Sequence, residues 1–126
     1  MERNTRQREA IRDAVVQAAR PLLPQEVLEA ARPLAPGLSI ATVYRTLRLL
    51  VVEGALRSVV LPGESPRYEP AWGGHHHHFK CWHCERVFPV GAYPADLASI
   101  APPGFSVEGH HLTLYGRCRE CGPPRA

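Results

Sequence analysis

A chain of 126 residues holds one ordinary domain or two small ones, and two halves of about sixty residues would each have a thin core that calls for a metal, a partner subunit or both. No run of about 18 apolar residues occurs, which excludes a membrane-spanning helix, and the opening stretch MERNTRQREAIRD is charged where a signal peptide would be apolar, so the expected location is the cytoplasm. The net charge of +3 is too small to identify a nucleic-acid partner, and the excess of Arg (14 of 15 basic residues) is accounted for equally well by a composition rich in Ala, Pro and Arg.

In chain order, Thr5 is placed to cap a helix over residues 6–18, with Ile11, Ala14, Val15 and Ala18 on one face. LLPQEVLEAAR starts a second helix with Pro24 in its first turn, and Arg32-Pro33 ends it. Pro36-Gly37 turns the chain, Ser39 caps a third helix, IATVYRTLRLLVVEG, and Gly54 stops it. On this helix Ile40, Val43, Leu47, Leu50 and Val51 share one side. Ala41, Arg45 and Arg48 occupy the other, with Thr42 and Tyr44 towards its edges, an arrangement suited to a groove wall. ALRSVVL and PRYEP follow as strands around a Pro62–Ser65 turn. Three helices and a hairpin predict a winged helix.

Ala71-Trp72-Gly73-Gly74 is the expected hinge. Beyond it HHHFKC and VFPV read as short strands, PADLASIA as a short helix and FSVEGHHLTLYGRC as a longer strand. All seven His and all four Cys lie in this second half. Cys81/Cys84 and Cys118/Cys121 are two CxxC pairs separated by 33 residues. Two such knuckles complete a closed tetrahedral four-sulfur shell, which predicts a structural zinc that staples two distant strands. In a strand, His76 and His78 face one way and His75 and His77 the other, so two metal sites could share it. Imidazole with carboxylate suits zinc, iron and manganese alike. The carboxylates within reach in sequence are Glu64, Glu69 and Glu108.

Four segments together resemble the ferric uptake regulator (Fur) family: T-R-Q-R at Thr5–Arg8, S-I-A-T-V-Y-R-T-L at Ser39–Leu47, H-H-H-H-F-K-C-W-H-C at His75–Cys84 and L-Y-G-R-C-R-E-C at Leu114–Cys121. They match in order and approximate spacing across essentially the whole chain. The resemblance implies a homodimer that binds an inverted repeat in double-stranded DNA as a metal-dependent repressor of metal-homeostasis genes, with no membrane or small-molecule substrate as partner. It places DNA contacts at Ala41, Tyr44 and Arg45 on the third helix, beside Thr42 and Arg48. It implies structural Zn(2+) at Cys81, Cys84, Cys118 and Cys121, a regulatory divalent metal at Glu69, His76 and His78, and a second metal site at His75, His77 and His110.

Three positions depart from the family pattern. Arg20-Pro21-Leu22 stands where iron- and peroxide-responsive members supply a His. Pro89 stands where the second site takes an acid. Ala71 stands where zinc-responsive members often have a Cys. The run G-H-H-H-H before the first CxxC resembles zinc-responsive members most, so Zn(2+) is the expected regulatory metal, with Mn(2+) and Fe(2+) as alternatives. The expected fold is α+β, with a winged helix-turn-helix domain at 1–70, a hinge at 71–74 and an α/β dimerisation and metal-binding domain with the four-cysteine zinc site at 75–126. A zinc metalloenzyme is the competing class, but no HExxH-like motif or placed general base occurs. A metal buffer would leave the helical half without a task.

Overall fold

Apolar residues at helical spacing account for the first half of the fold. Residues 2–72, 77–91 and 97–123 are described by a computed structural model, and the chain divides into two compact units, Met1–Gly74 and His75–Ala126. In the first unit, α1 (Glu2–Ala18), α2 (Pro24–Ala31) and α3 (Ile40–Val52) precede a hairpin of β1 (Leu56–Val59) and β2 (Arg67–Pro70). The core joins Ile11 and Val15 of α1, Val27, Leu28 and Ala31 of α2, Val43, Leu47 and Leu50 of α3, and Leu56 of β1.

Local chemistry sets most of the boundaries. Pro24 takes the first turn of α2, where a missing N–H costs nothing. Glu26 Oε1 accepts the Leu23 N–H at 2.9 Å, which satisfies one orphan donor of that turn. Ser39 caps α3 by accepting the Thr42 N–H, and Gly54 leaves the helix at φ +84. The wing hairpin pairs Leu56 with Pro70 and Val59 with Arg67. Leu22 adds a further rung, exchanging two backbone hydrogen bonds with Tyr68 at 2.8 and 2.9 Å. Arg8 of α1 forms an ion pair with Glu53 at the end of α3, and that hydrogen bond holds the guanidinium above and the carboxylate below their ordinary ranges.

One boundary and one burial in the first unit differ from expectation. α1 begins at Glu2 and Thr5 is an interior residue: no Gly or Pro precedes it, so nothing stops the helix there. Ile40 is 37% exposed despite its place on the apolar stripe, because it forms the first residue of α3 and lies at the helix end.

The second unit is a three-stranded sheet in the order β4-β3-β5, with β3 at His77–Cys81, β4 at Val87–Val90, a single 3-10 turn at Leu97–Ile100 and β5 at Thr113–Gly116. β3 and β4 run antiparallel, and β3 and β5 parallel, with Cys81 beside Gly116. A Cβ on Gly116 would lie 3.2 Å from the Phe79 ring, so the glycine admits that ring against β5. The long strand expected from Phe105 to Cys118 is only four residues. A strand extends as far as its ladder does, and here the last rung is the His78 N–H on the Leu112 carbonyl. PADLASIA yields only the 3-10 turn among its described residues. Among the described residues no helix is long and apolar enough to cross a membrane.

Ala19, just past α1, has φ +58, a left-handed conformation that costs an L side chain roughly 1–2 kcal/mol and glycine almost nothing. Ala19→Gly is expected to stabilise the first unit by about 0.5–1 kcal/mol, after subtracting the extra entropy of an unfolded glycine. A higher denaturant midpoint at unchanged m is the readout, and a lower midpoint would refute the assignment.

Candidate metal centre and recognition helix

Each CxxC pair folds into a knuckle because the residue after its second cysteine turns left-handed. Glu85 has φ +65 and Gly122 φ +71. The N–H of each returns to the carbonyl of the first cysteine in its pair, Glu85 to Cys81 at 2.9 Å and Gly122 to Cys118 at 3.0 Å. Since β3 and β5 are parallel neighbours, their C-terminal ends bring the two knuckles face to face, and the Trp82 N–H on the Gly116 carbonyl at 2.8 Å joins them.

The four Sγ atoms lie within 4.8 Å of one another. Cys81 and Cys121 are 3.6 Å apart and Cys84 and Cys118 3.8 Å, and all four cysteines are free. A tetrahedral ion with metal–sulfur bonds of about 2.3 Å requires sulfur–sulfur edges of roughly 3.8 Å. The cluster fits that requirement, and a divalent metal is the group these sulfurs would hold. Backbone amides prepare one of them: the Cys84 and Cys118 N–H groups point at Cys81 Sγ at 3.5 and 3.4 Å. The Cys84 amide foremost, with those of Cys118 and His83, pulls the Cys81 thiol down to about 5 against the effect of burial. Burial first, and then the neighbouring sulfurs, pushes Cys121 up to about 12. At Cys84 the Arg86 amide works to lower the thiol, but burial and the sulfurs of Cys81 and Cys118 outweigh it. His83, between the first pair, is exposed.

The histidine sites are described in part. His77, buried on β3, and His110 bring their Nε2 atoms to 3.3 Å, close to the roughly 3.3 Å that two imidazole nitrogens span on a tetrahedral ion. His78 is half-buried, whereas His75 and His76 lie outside the described residues. Pro89 pairs in register with His78, and directly paired residues share a face. Position 89 therefore lies on the His78 face of the sheet. Glu69 on β2 is buried, with Oε2 2.6 Å from Arg57 Nε. Glu64 holds Arg67 at 2.7 Å, and Glu108 is exposed in an irregular segment.

On α3, Val43 and Leu47 point into the core while Ala41, Tyr44, Arg45 and Arg48 are exposed and Thr42 is half-buried. A chain of side-chain hydrogen bonds runs along this surface: Ser39 Oγ to Thr42 Oγ1 at 3.1 Å, and Arg45 Nη2 to Thr42 Oγ1 at 3.1 Å. Helical periodicity places 42 beside 45 but does not reveal this bonding. Trp82, 69% exposed, stacks on Tyr115 with ring centroids 5.4 Å apart, a contact between the knuckle and β5 that periodicity cannot reveal.

A winged helix followed by a small sheet with four sulfurs set for a metal defines an α+β metal-binding protein. Residues 2–115 match the Ferric uptake regulator family, and the chain belongs to it. Over 127 residues it is 32% identical to the ferric uptake regulation protein of Campylobacter jejuni, an alignment that spans 97% of this chain and 81% of that one. Its fold is similar to that of a zinc-bound manganese uptake regulator, with a TM-score of 0.74 at 23% identity, over 89% of this chain and 87% of the other. It is also similar to FurB of M. tuberculosis, a zinc uptake regulator, with a TM-score of 0.53 at 28% identity over 96% of each chain. Membership makes the chain a metal-dependent regulator.

Cys84→Ser tests the cluster. One sulfur fewer breaks the shell, and a structural metal contributes a large share of the folding free energy of a small domain. The variant should lose its tightly held metal and melt at least about 10 °C lower, the shift that some 2 kcal/mol produces at this size. One metal per chain at an unshifted midpoint would remove Cys84 from the site.

Proposed function

We propose that the chain is a DNA-binding transcriptional repressor of metal uptake and homeostasis genes, acting in the cytoplasm as a homodimer on an inverted-repeat operator, and that it is not an enzyme. The observation that carries this reading is the solvent face of α3. Its exposed Ala41, Tyr44, Arg45 and Arg48 stand opposite buried Val43 and Leu47, in a chain that also gathers four sulfurs for a metal. A major groove admits one helix, and an Arg fork matches the O6 and N7 edge of guanine. A two-fold protein with one such helix per subunit suits two half-sites a helical turn apart. A closed four-sulfur shell leaves no position for a substrate, so that metal is structural.

In this reading residues 1–70 bind DNA, 71–74 form the hinge and 75–126 carry dimerisation and metal. Zn(2+) at Cys81, Cys84, Cys118 and Cys121 holds the second unit together. The regulatory metal takes Glu69, His76 and His78, ligands from both sides of Gly73-Gly74, and so links metal occupancy to the DNA-binding half. His75, His77 and His110 form the second site, supported by the His77–His110 geometry. Ala41, Thr42, Tyr44, Arg45 and Arg48 form the DNA face. Zinc is the regulatory metal favoured here, on the histidine run before the first CxxC and on the similarity to the zinc uptake regulator FurB. An iron-responsive regulator is the second reading, favoured by the 32% identity to the Campylobacter jejuni protein. DNA affinity and metal content measured together in chelator-buffered titrations of zinc, manganese and iron decide between them. DNA binding independent of every metal would sink both.

Arg45→Ala should lower discrimination between operator and altered duplexes by about 1–3 kcal/mol while dimer mass and metal content stay as in the parent. Unchanged specificity would take Arg45 off the reading surface. His76→Ala should give a folded dimer that keeps its four-sulfur metal yet needs far more regulatory metal to bind DNA. His77→Ala should impair the response less. The reverse ranking in the same titration would exchange the roles of the two strand faces.

A further inference from the structure

We propose that Thr42 is a positioning residue for sequence recognition, presetting the Arg45 guanidinium so that selectivity among DNA sequences depends on a hydroxyl that acts through its neighbour. The proposal rests on the reading of Arg45 as a base-contacting residue and assigns how that contact is prepared. Its basis is the continuous chain at the start of α3. The Thr42 N–H donates to Ser39 Oγ at 3.2 Å, Ser39 Oγ donates to Thr42 Oγ1 at 3.1 Å, and Arg45 Nη2 donates to the same Oγ1 at 3.1 Å. A hydroxyl oxygen accepts at two positions, and here Ser39 and Arg45 use both.

The arrangement links helix start and arginine mechanically. Ser39 is fixed by its capping bond to the backbone, Thr42 is tied to Ser39, and Arg45 lies one turn on at i+3, adjacent on the helix surface. An exposed arginine otherwise samples many rotamers, and freezing one on binding lowers affinity. Nη2 carries two hydrogens, so the bond to Thr42 takes one of five guanidinium donors and leaves a forked pair for a base edge. Thr42 is β-branched and half-buried. Valine at this position keeps the shape, the branching and the backbone bond to Ser39, and removes only the hydroxyl.

The experiment uses the full chain with zinc supplied. Its probes are the duplex that the parent protein selects from a random pool and a scrambled duplex of equal length. Thr42→Val should weaken binding to the selected duplex about two- to tenfold, the range expected for ordering one rotamer-rich side chain. Affinity for the scrambled duplex should fall less than affinity for the selected one, with the salt dependence and the melting midpoint at parent values. Thr42→Ser, which keeps the hydroxyl, should restore selectivity, and Thr42→Val should add nothing on top of Arg45→Ala. Parent-like selectivity in Thr42→Val alongside its loss in Arg45→Ala overturns the proposal. So does equal weakening on both duplexes with a salt slope smaller by about one, which marks Thr42 as a phosphate contact. Full selectivity in Arg45→Ala overturns instead the assignment of Arg45 on which the proposal stands.

Discussion

The parallel pairing of β3 with β5 is the constraint on which the second unit depends. A parallel neighbour places the C-terminal ends of both strands side by side, and Cys81 lies beside Gly116 in this ladder. Each strand then runs straight into a knuckle, so four sulfurs from distant parts of the sequence converge with no α-helix beside them among the described residues. An antiparallel arrangement of the same strands would send the knuckles to opposite ends of the sheet. The small size of the unit makes this convergence important, because three strands of four or five residues bury little apolar surface, and metal coordination there would supply what packing cannot.

The first unit reaches stability by the opposite route. Its core draws on three helices and β1, which leaves the remaining side of α3 free of structural duty. Val43, Leu47 and Leu50 anchor the helix, while the residues between them can be chosen for what lies outside the protein. Arg8 and Glu53 tie the far end of α3 to α1, and the Ser39 cap orders its near end. The helix is therefore restrained at both ends while its outer surface stays open.

What could be read from the residues divides along the range of the forces involved. The limits of α2 and α3 were readable because Pro24, Ser39 and Gly54 act on their own turn of backbone. The two CxxC pairs were readable because ligand spacing is a local property. α1 starts before Thr5 because a Thr at a plausible cap does not end a helix when no breaker precedes it. β5 is shorter than its β-prone sequence suggests because a strand ends where its partner does, and the partner is set by register. Register also sets Pro89 opposite His78, which alternation along one strand cannot foretell. The bond from Arg45 to Thr42 and the stack of Trp82 on Tyr115 depend on rotamers that no pattern of residue types encodes.

The long stretch between the two CxxC pairs has a kinetic consequence. Thirty-three residues separate Cys84 from Cys118, and Cys81 is fully buried. Cys81 ends β3, and Cys84, Cys118 and Cys121 lie just beyond β3 and β5, so an ion bound by both knuckles would be released only if two ligand pairs let go together or in turn. The lifetime of such an ion would then follow the rate at which a knuckle opens locally more than the strength of a competitor in solution. A change in the cellular supply of metal would then be registered by more labile ligands long before this cluster could respond. Such a separation of timescales would let one ion serve as part of the protein's permanent fabric while another comes and goes.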